Sequence, residues 1–211
     1  AASLKSTFTE LGKQLEAGHP GTTVTFNFAG SSDLVAQLQQ GAPADVFASA
    51  DEANMQKAGD LVKSPTNFAT NSMMVAVPPD NPASIQEFAD LSDAQVVVCA
   101  PEVPCGAATE KIEQNSGVTL KPVSEEASVT DVLNKVTTGE ADAGVVYVTD
   151  VQAAGDKVQG IKIPTDINAV NTYPIAVVAG SEQTTLAQDF ANLVTGPEGQ
   201  KVMSDAGFGA P

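Results

Sequence analysis

The residues of this chain best suited to hold a ligand are hydroxyls and helix-opening amides, not charges. Ser3 precedes the first helical period, Ser31 and Ser32 the second, the turn Pro104-Cys105-Gly106 a third, and Ser128-Val129 a fourth. A helix start leaves its first backbone N–H groups without intrahelical partners and carries the positive end of the helix dipole. Several such starts facing one cleft would hold an anion without any Lys or Arg. Taken singly, each serine is an ordinary N-cap. Asp33, two places after Ser31, would repel an anion if it turned inward; on the solvent side it is a first-turn acid that stabilises its helix.

Other chemistry is poorly supplied. His19 is the single histidine and stands in the turn-like "AGHPG", with no G-x-S-x-G partner for acyl transfer. Neither an H-E-x-x-H zinc motif nor a P-loop occurs. Glu125 and Glu126 are adjacent and read as a solvated surface. An enzyme is therefore not expected. Cys99 and Cys105 alone make half a zinc site. They leave either a disulfide closing a short loop, which implies an oxidising compartment, or a pair of free thiols.

Composition narrows the partners. Ten Lys+Arg stand against 26 Asp+Glu, for a net charge of -16 and a pI near 4.1. Nucleic acid and anionic membranes, both held through Lys and Arg, are excluded as partners. No run approaches the roughly 18 apolar residues of a membrane span. A length of 211 residues suits one large domain or two lobes.

The elements that must position these groups alternate in period. Leu4, Phe8, Leu11 and Leu15 share a helical face with Ser3 as N-cap, and "GTTVTFNFAG" alternates as a strand. A helix from about Asp33 to Gln40 stops at Gly41. "ADVFASA", "NSMMVAVPP", "AQVVVCA", "AGVVYVTD" and "NTYPIAVVAG" read as strands. "DEANMQKAG", "SIQEFADL", "GAATEKIEQNSG", "SVTDVLNKVTTGEA" and two closing segments read as helices. This alternation predicts an α/β fold with mostly parallel sheets flanked by helices. Its βα turns would gather at the carboxyl ends of the strands, where such folds bind ligands.

The blocks "AASL", "FAGSSDLVAQLQQGAPADVFASAD", "PEVPCGAATEKI", "EEASVTDVLNKVTTGEADAGVVYVTD", "YPIAVVAG" and "GPEGQKVMSDAGF" run from end to end of the chain. In these blocks and their order the sequence resembles the periplasmic molybdate-binding proteins of ABC importers, most nearly their actinobacterial branch. The resemblance implies a two-lobed, type II periplasmic-binding-protein-like fold with two crossover hinge strands. It implies lobes of residues 1–78 plus 172–211 and 79–171, a ligand cleft between them, and a first strand lying before Ala1. It implies a site made of the hydroxyls of Ser3, Ser31 and Tyr147 with the backbone N–H groups of Cys105 and Val129. The ligand would be molybdate or tungstate, with sulfate or phosphate as the alternative, and no cofactor or further metal. The position of Cys105 is commonly alanine in that family. If only its N–H is used the side chain is free to differ, and a bond to Cys99 would preorganise that donor. The partner would be a membrane permease, and the protein a monomer, secreted and lipid-anchored outside the cytoplasm.

Overall fold

A computed structural model describes all 211 residues. In chain order a 3-10 turn, Ala2–Leu4, leads into α1 (Lys5–Gly18), α2 (Ser31–Gln39), β1 (Val46–Ala48), α3 (Glu52–Ala58) and β2 (Val62–Val77). Next come β3 (Val96–Cys99), α4 (Pro104–Ser116), β4 (Ser124–Glu126), α5 (Val129–Thr137), β5 (Ala143–Tyr147) and α6 (Val148–Ala154). The chain closes with β6 (Gln159–Lys162), β7 (Val170–Val178), α7 (Thr184–Thr195) and α8 (Pro197–Asp205). It divides into two compact units, Ala1–Thr70 with Thr172–Pro211, and Asn71–Asn171.

In the first unit the apolar face of α1 lies against α7 and α8. Leu4, Phe8, Leu11 and Leu15 are all buried, and the Phe8 ring meets Phe190 of α7 edge-on at 5.4 Å. Leu34, Val35 and Leu38 of α2 pack on Phe47 of β1, Met55 of α3 and Ala176 of β7. β1 and β7 pair antiparallel, Phe47 opposite Ala176. The segment read as a strand, "GTTVTFNFAG", is not one. Its exposure still alternates residue by residue, with Val24, Phe26 and Phe28 on the inner side. It lacks a ladder: Val24 N–H goes to the Glu16 carboxylate and Ala29 C=O to Ala2 N–H. The pattern predicted which side chains point inward; pairing needed a neighbour that pattern does not supply.

In the second unit β3 lies between β4 and β5 and runs parallel to both. β3 and β5 are buried throughout, which accounts for their unbroken apolar runs. The second half of β2 adds antiparallel pairings, Met73 with Tyr147 and Val75 with Ile161 of β6. The expected parallel sheet thus describes the β4-β3-β5 centre, and the pairings around it are antiparallel. The same pairings move the first crossover. Met73 to Val77 belong to this unit, so the division falls inside β2 at Thr70/Asn71 and not at its proline-flanked end.

Two local readings change for reasons visible in side chains. "SIQEFADL" forms a 3-10 helix, Phe88–Asp93, and no α-helix. Asp90 takes the N–H groups of Gln86 and Glu87, and Asn81 takes that of Ile85, which holds the preceding residues in turns. "YVTD" leaves the strand early because Asp150 accepts the Tyr147 N–H at 3.0 Å and starts α6. No helix is long and apolar enough to cross a membrane.

Candidate functional site

Of the four helix starts, one is capped in the ordinary way. Ser128 accepts the Asp131 N–H at 3.3 Å and donates to its carboxylate at 2.7 Å. Ser3 and Ser31 cap nothing. Ser3 sits inside the 3-10 turn, and the N-cap of α1 is Leu4; the N-cap of α2 is Gly30. Their hydroxyls are held from elsewhere in the first unit. Ser3 Oγ lies 3.0 Å from the Tyr173 hydroxyl. Ser31, 1% exposed, accepts the Ala50 N–H at 3.0 Å. An oxygen that accepts keeps its own proton to donate. Ala2 N–H bonds to Ala29 C=O at 2.9 Å, which brings the Ser3 turn beside the start of α2.

Tyr173 is a fixed support. It is fully buried, with Phe68 and Phe208 edge-on to its ring at 6.2 and 5.5 Å. Edge-on packing by two rings holds the Tyr173 ring in its buried place. Asp33 is exposed, so its charge faces solvent.

In the second unit the other three predicted residues follow the carboxyl ends of neighbouring strands. Cys105 comes after β3, Val129 after β4, and Tyr147 closes β5. Ala100 N–H to Glu126 C=O at 2.9 Å ties the exits of β3 and β4. Cys99 and Cys105 form a disulfide with Cα atoms 5.6 Å apart, joining the end of β3 to the first turn of α4. Gly106 makes that junction possible: a Cβ there would stand 1.9 Å from Ala100 O and 2.7 Å from Cys99 O. Cys105 and Val129 are each 2% exposed, and neither backbone N–H has an acceptor within the chain. A buried donor left so costs about 1–3 kcal/mol unless a ligand or water completes it.

Tyr147, 1% exposed, has its hydroxyl oxygen 3.0 Å from Asn171 Nδ2. Burial pushes the Asp150 carboxyl beneath it up to about 7, against the opposing pull of the Tyr147 N–H. Three lysines are engaged with other side chains: Lys57 with Asn54, Lys135 with Ser124 and Glu126, Lys201 with Asp205. His19 pairs with Asp189 at 3.3 Å on the surface. No cluster of three or more His, Cys, Asp or Glu could hold a metal ion.

The first unit therefore brings Ser3 and Ser31 together, and the second Cys105, Val129 and Tyr147. Sequence reasoning missed Tyr173, Ala50 N–H and Asn171, which bond to these groups, and named Gly106 only as part of the helix-opening turn. Only the Tyr-Pro pair of "NTYPIAVV" hinted at Tyr173. The set is one of neutral donors, which suits a small anion with no proton to give.

A family described as bacterial extracellular solute-binding protein matches residues 1–209. The chain is 52% identical over 216 residues to the molybdate-binding protein ModA of Mycobacterium tuberculosis, covering all of this chain and 83% of that one. It is 32% identical to the molybdate-binding protein ModA of Escherichia coli, over 99% of this chain and 86% of its relative. Its fold superposes on the periplasmic molybdate-binding protein of Azotobacter vinelandii with a TM-score of 0.83 at 20% identity, over 100% and 97% of the two chains. The chain belongs to the bacterial extracellular solute-binding protein family, in its molybdate-binding branch.

Proposed function

We propose that this protein captures molybdate outside the cytoplasm and delivers it to the membrane permease of an ABC importer. The carrying observation is that hydroxyls held by bonds from elsewhere in their own unit, and buried helix-opening amides without an acceptor in the chain, occur at the positions the family motifs single out. The names of the relatives support the same ligand. In this reading the hydroxyls of Ser3, Ser31 and Tyr147 and the backbone N–H groups of Cys105 and Val129 are donors to a tetrahedral dianion. The permease then recognises the loaded form.

Molybdate at neutral pH carries no proton, so every group around it must donate. Hydrogen bonds to a charged partner contribute about 1.5–3 kcal/mol each. Such a donor set could supply the roughly 8–12 kcal/mol of a micromolar-to-nanomolar site after association costs. Phosphate, which keeps a proton, wants an acceptor; sulfate is a smaller tetrahedron. Tungstate matches molybdate in charge and shape and is taken alongside it. The protein acts as a monomeric, lipid-anchored binding protein and catalyses nothing.

Isothermal titration with molybdate, tungstate, sulfate and phosphate tests this. Molybdate and tungstate are expected to bind at least about 100-fold more tightly than the others, a gap near 2.7 kcal/mol. Sulfate or phosphate binding as tightly as molybdate would overturn the assignment.

A further inference from the structure

Asn171 is the last residue of the second unit before the chain returns to the first. Two bonds of its side-chain amide lie inside that unit. Nδ2 lies 3.2 Å from the Pro104 carbonyl and 3.0 Å from the Tyr147 hydroxyl. Pro104 opens α4 and immediately precedes Cys105. One NH2 group thus ties together two of the three elements assigned to the anion in this unit.

The orientation of that amide follows from chemistry. A carbonyl oxygen can only accept, so the group facing Pro104 O is the NH2 and not the amide oxygen. Its second proton then goes to the phenol. Tyr147 is made an acceptor toward Asn171, and the phenol proton is committed to a different partner. The far end of the residue is fixed as well, since Asp150 accepts the Tyr147 N–H at 3.0 Å. The other crossover behaves in parallel: Asn71, first residue of the unit, donates to Thr149 Oγ1 at 2.8 Å, two places after Tyr147.

We propose that Asn171 is a positioning residue for oxyanion binding: it sends the Tyr147 hydroxyl proton to the ligand and holds the Pro104 turn so that the Cys105 N–H meets the same ion. This rests on the oxyanion reading given above. It places a neutral amide at the chain crossover as part of the binding machinery, although it touches no ligand itself. Asn171→Leu keeps the size and removes the bonds to Pro104 and Tyr147. Asn171→Asp keeps the shape but turns a donor to the phenol into an acceptor of its proton, diverting that proton from the anion.

The experiment is titration of molybdate into the wild type, Asn171→Leu, Asn171→Asp, Tyr147→Phe and the double variant Asn171→Leu/Tyr147→Phe. Spectra of protein labelled with 13C at tyrosine Cζ accompany it. The chain has two tyrosines, so the two resonances are assigned with the Tyr147→Phe variant. Asn171→Leu is expected to weaken molybdate about tenfold, and Asn171→Asp more. In the Tyr147→Phe background the Leu substitution should weaken it only about twofold, through the Pro104 arm. The Tyr147 resonance should shift in both Asn171 variants with or without molybdate, and that of Tyr173 should stay. A merely structural role would shift the phenol signal too but would leave the losses in molybdate affinity additive. Unchanged affinity in the Leu and Asp variants, an undiminished loss in the Tyr147→Phe background, or an unmoved Tyr147 signal overturns the proposal while wild-type binding leaves the oxyanion reading standing. A wild type that binds no oxyanion removes both.

Discussion

At the scale of single residues, the hydroxyls of this protein differ in what their oxygens already do. Ser128 spends both roles on Asp131, closing its helix. Ser31 only accepts, from Ala50 N–H, and so keeps a proton to donate. Ser31→Ala should weaken molybdate about tenfold or more, the loss of one hydrogen bond to a charge. Tyr147→Phe should do the same, with the thermal midpoint within a few degrees of wild type, because the ring still fills its buried place. Calorimetric titration beside a melting curve checks both; affinity preserved in both variants would show that the ion is held by other groups.

At the scale of elements, the strand exits decide where donors stand. Gly106 lets α4 start in contact with the end of β3, where even a methyl group would enter the Ala100 carbonyl. Because the obstacle is backbone, relief means moving the helix start that carries Cys105. Gly106→Ala is expected to destabilise by about 3 kcal/mol and to weaken molybdate as well. A denaturant midpoint equal to wild type would contradict this close approach. The β5-to-α6 turn holds the other constraint. Burial raises the Asp150 carboxyl from 3.8 to about 7. The folded state thus binds a proton that the unfolded chain has released, so this group lowers stability as pH rises from about 4 to 7 and adds nothing further above 7. Asp150→Asn, which retains an acceptor for the Tyr147 N–H, should remove that fall and stabilise by about 1–3 kcal/mol near pH 7.5. Denaturation curves at pH 4.5, 6 and 7.5 would refute the sign if the wild type gained on the variant as pH rose.

At the scale of the whole molecule, charge and site act against each other. A net charge of -16 repels a dianion at long range, while in the proposed site neutral donors attract it at contact. Screening extends over about 8 Å at physiological salt, so added salt relieves the repulsion and leaves the contact bonds largely intact. Molybdate should therefore associate faster as salt rises from low to physiological strength, the reverse of a lysine- or arginine-lined site. Stopped-flow tyrosine fluorescence, in a chain without tryptophan, can follow this. An association rate that falls with salt would mean that cations steer the ion after all.

Helix faces and buried strands were legible in the sequence because they depend on local periodicity. Leu4, Phe8, Leu11 and Leu15 had to share a face of any helix, and "VVVC" and "AGVVY" had to be covered on both sides. The motif order singled out Ser3, Ser31, Cys105, Val129 and Tyr147 as candidate donors, and the titrations above test them. What a hydroxyl bonds to is set by residues far away in the chain, and no period reports it. Ser3 meets Tyr173 across 170 positions, and Tyr147 meets Asn171 across 24. Strand pairing is non-local for the same reason: residues 22–30 alternate like a strand yet find no ladder, and β2 divides between units according to the neighbours of its second half. Sequence alone determined which groups were available as donors and which faces were apolar, since those follow from side-chain type and spacing. Only the tertiary structure decided which oxygens spend themselves on the protein, because each bond is made by whatever the fold brings within 3 Å.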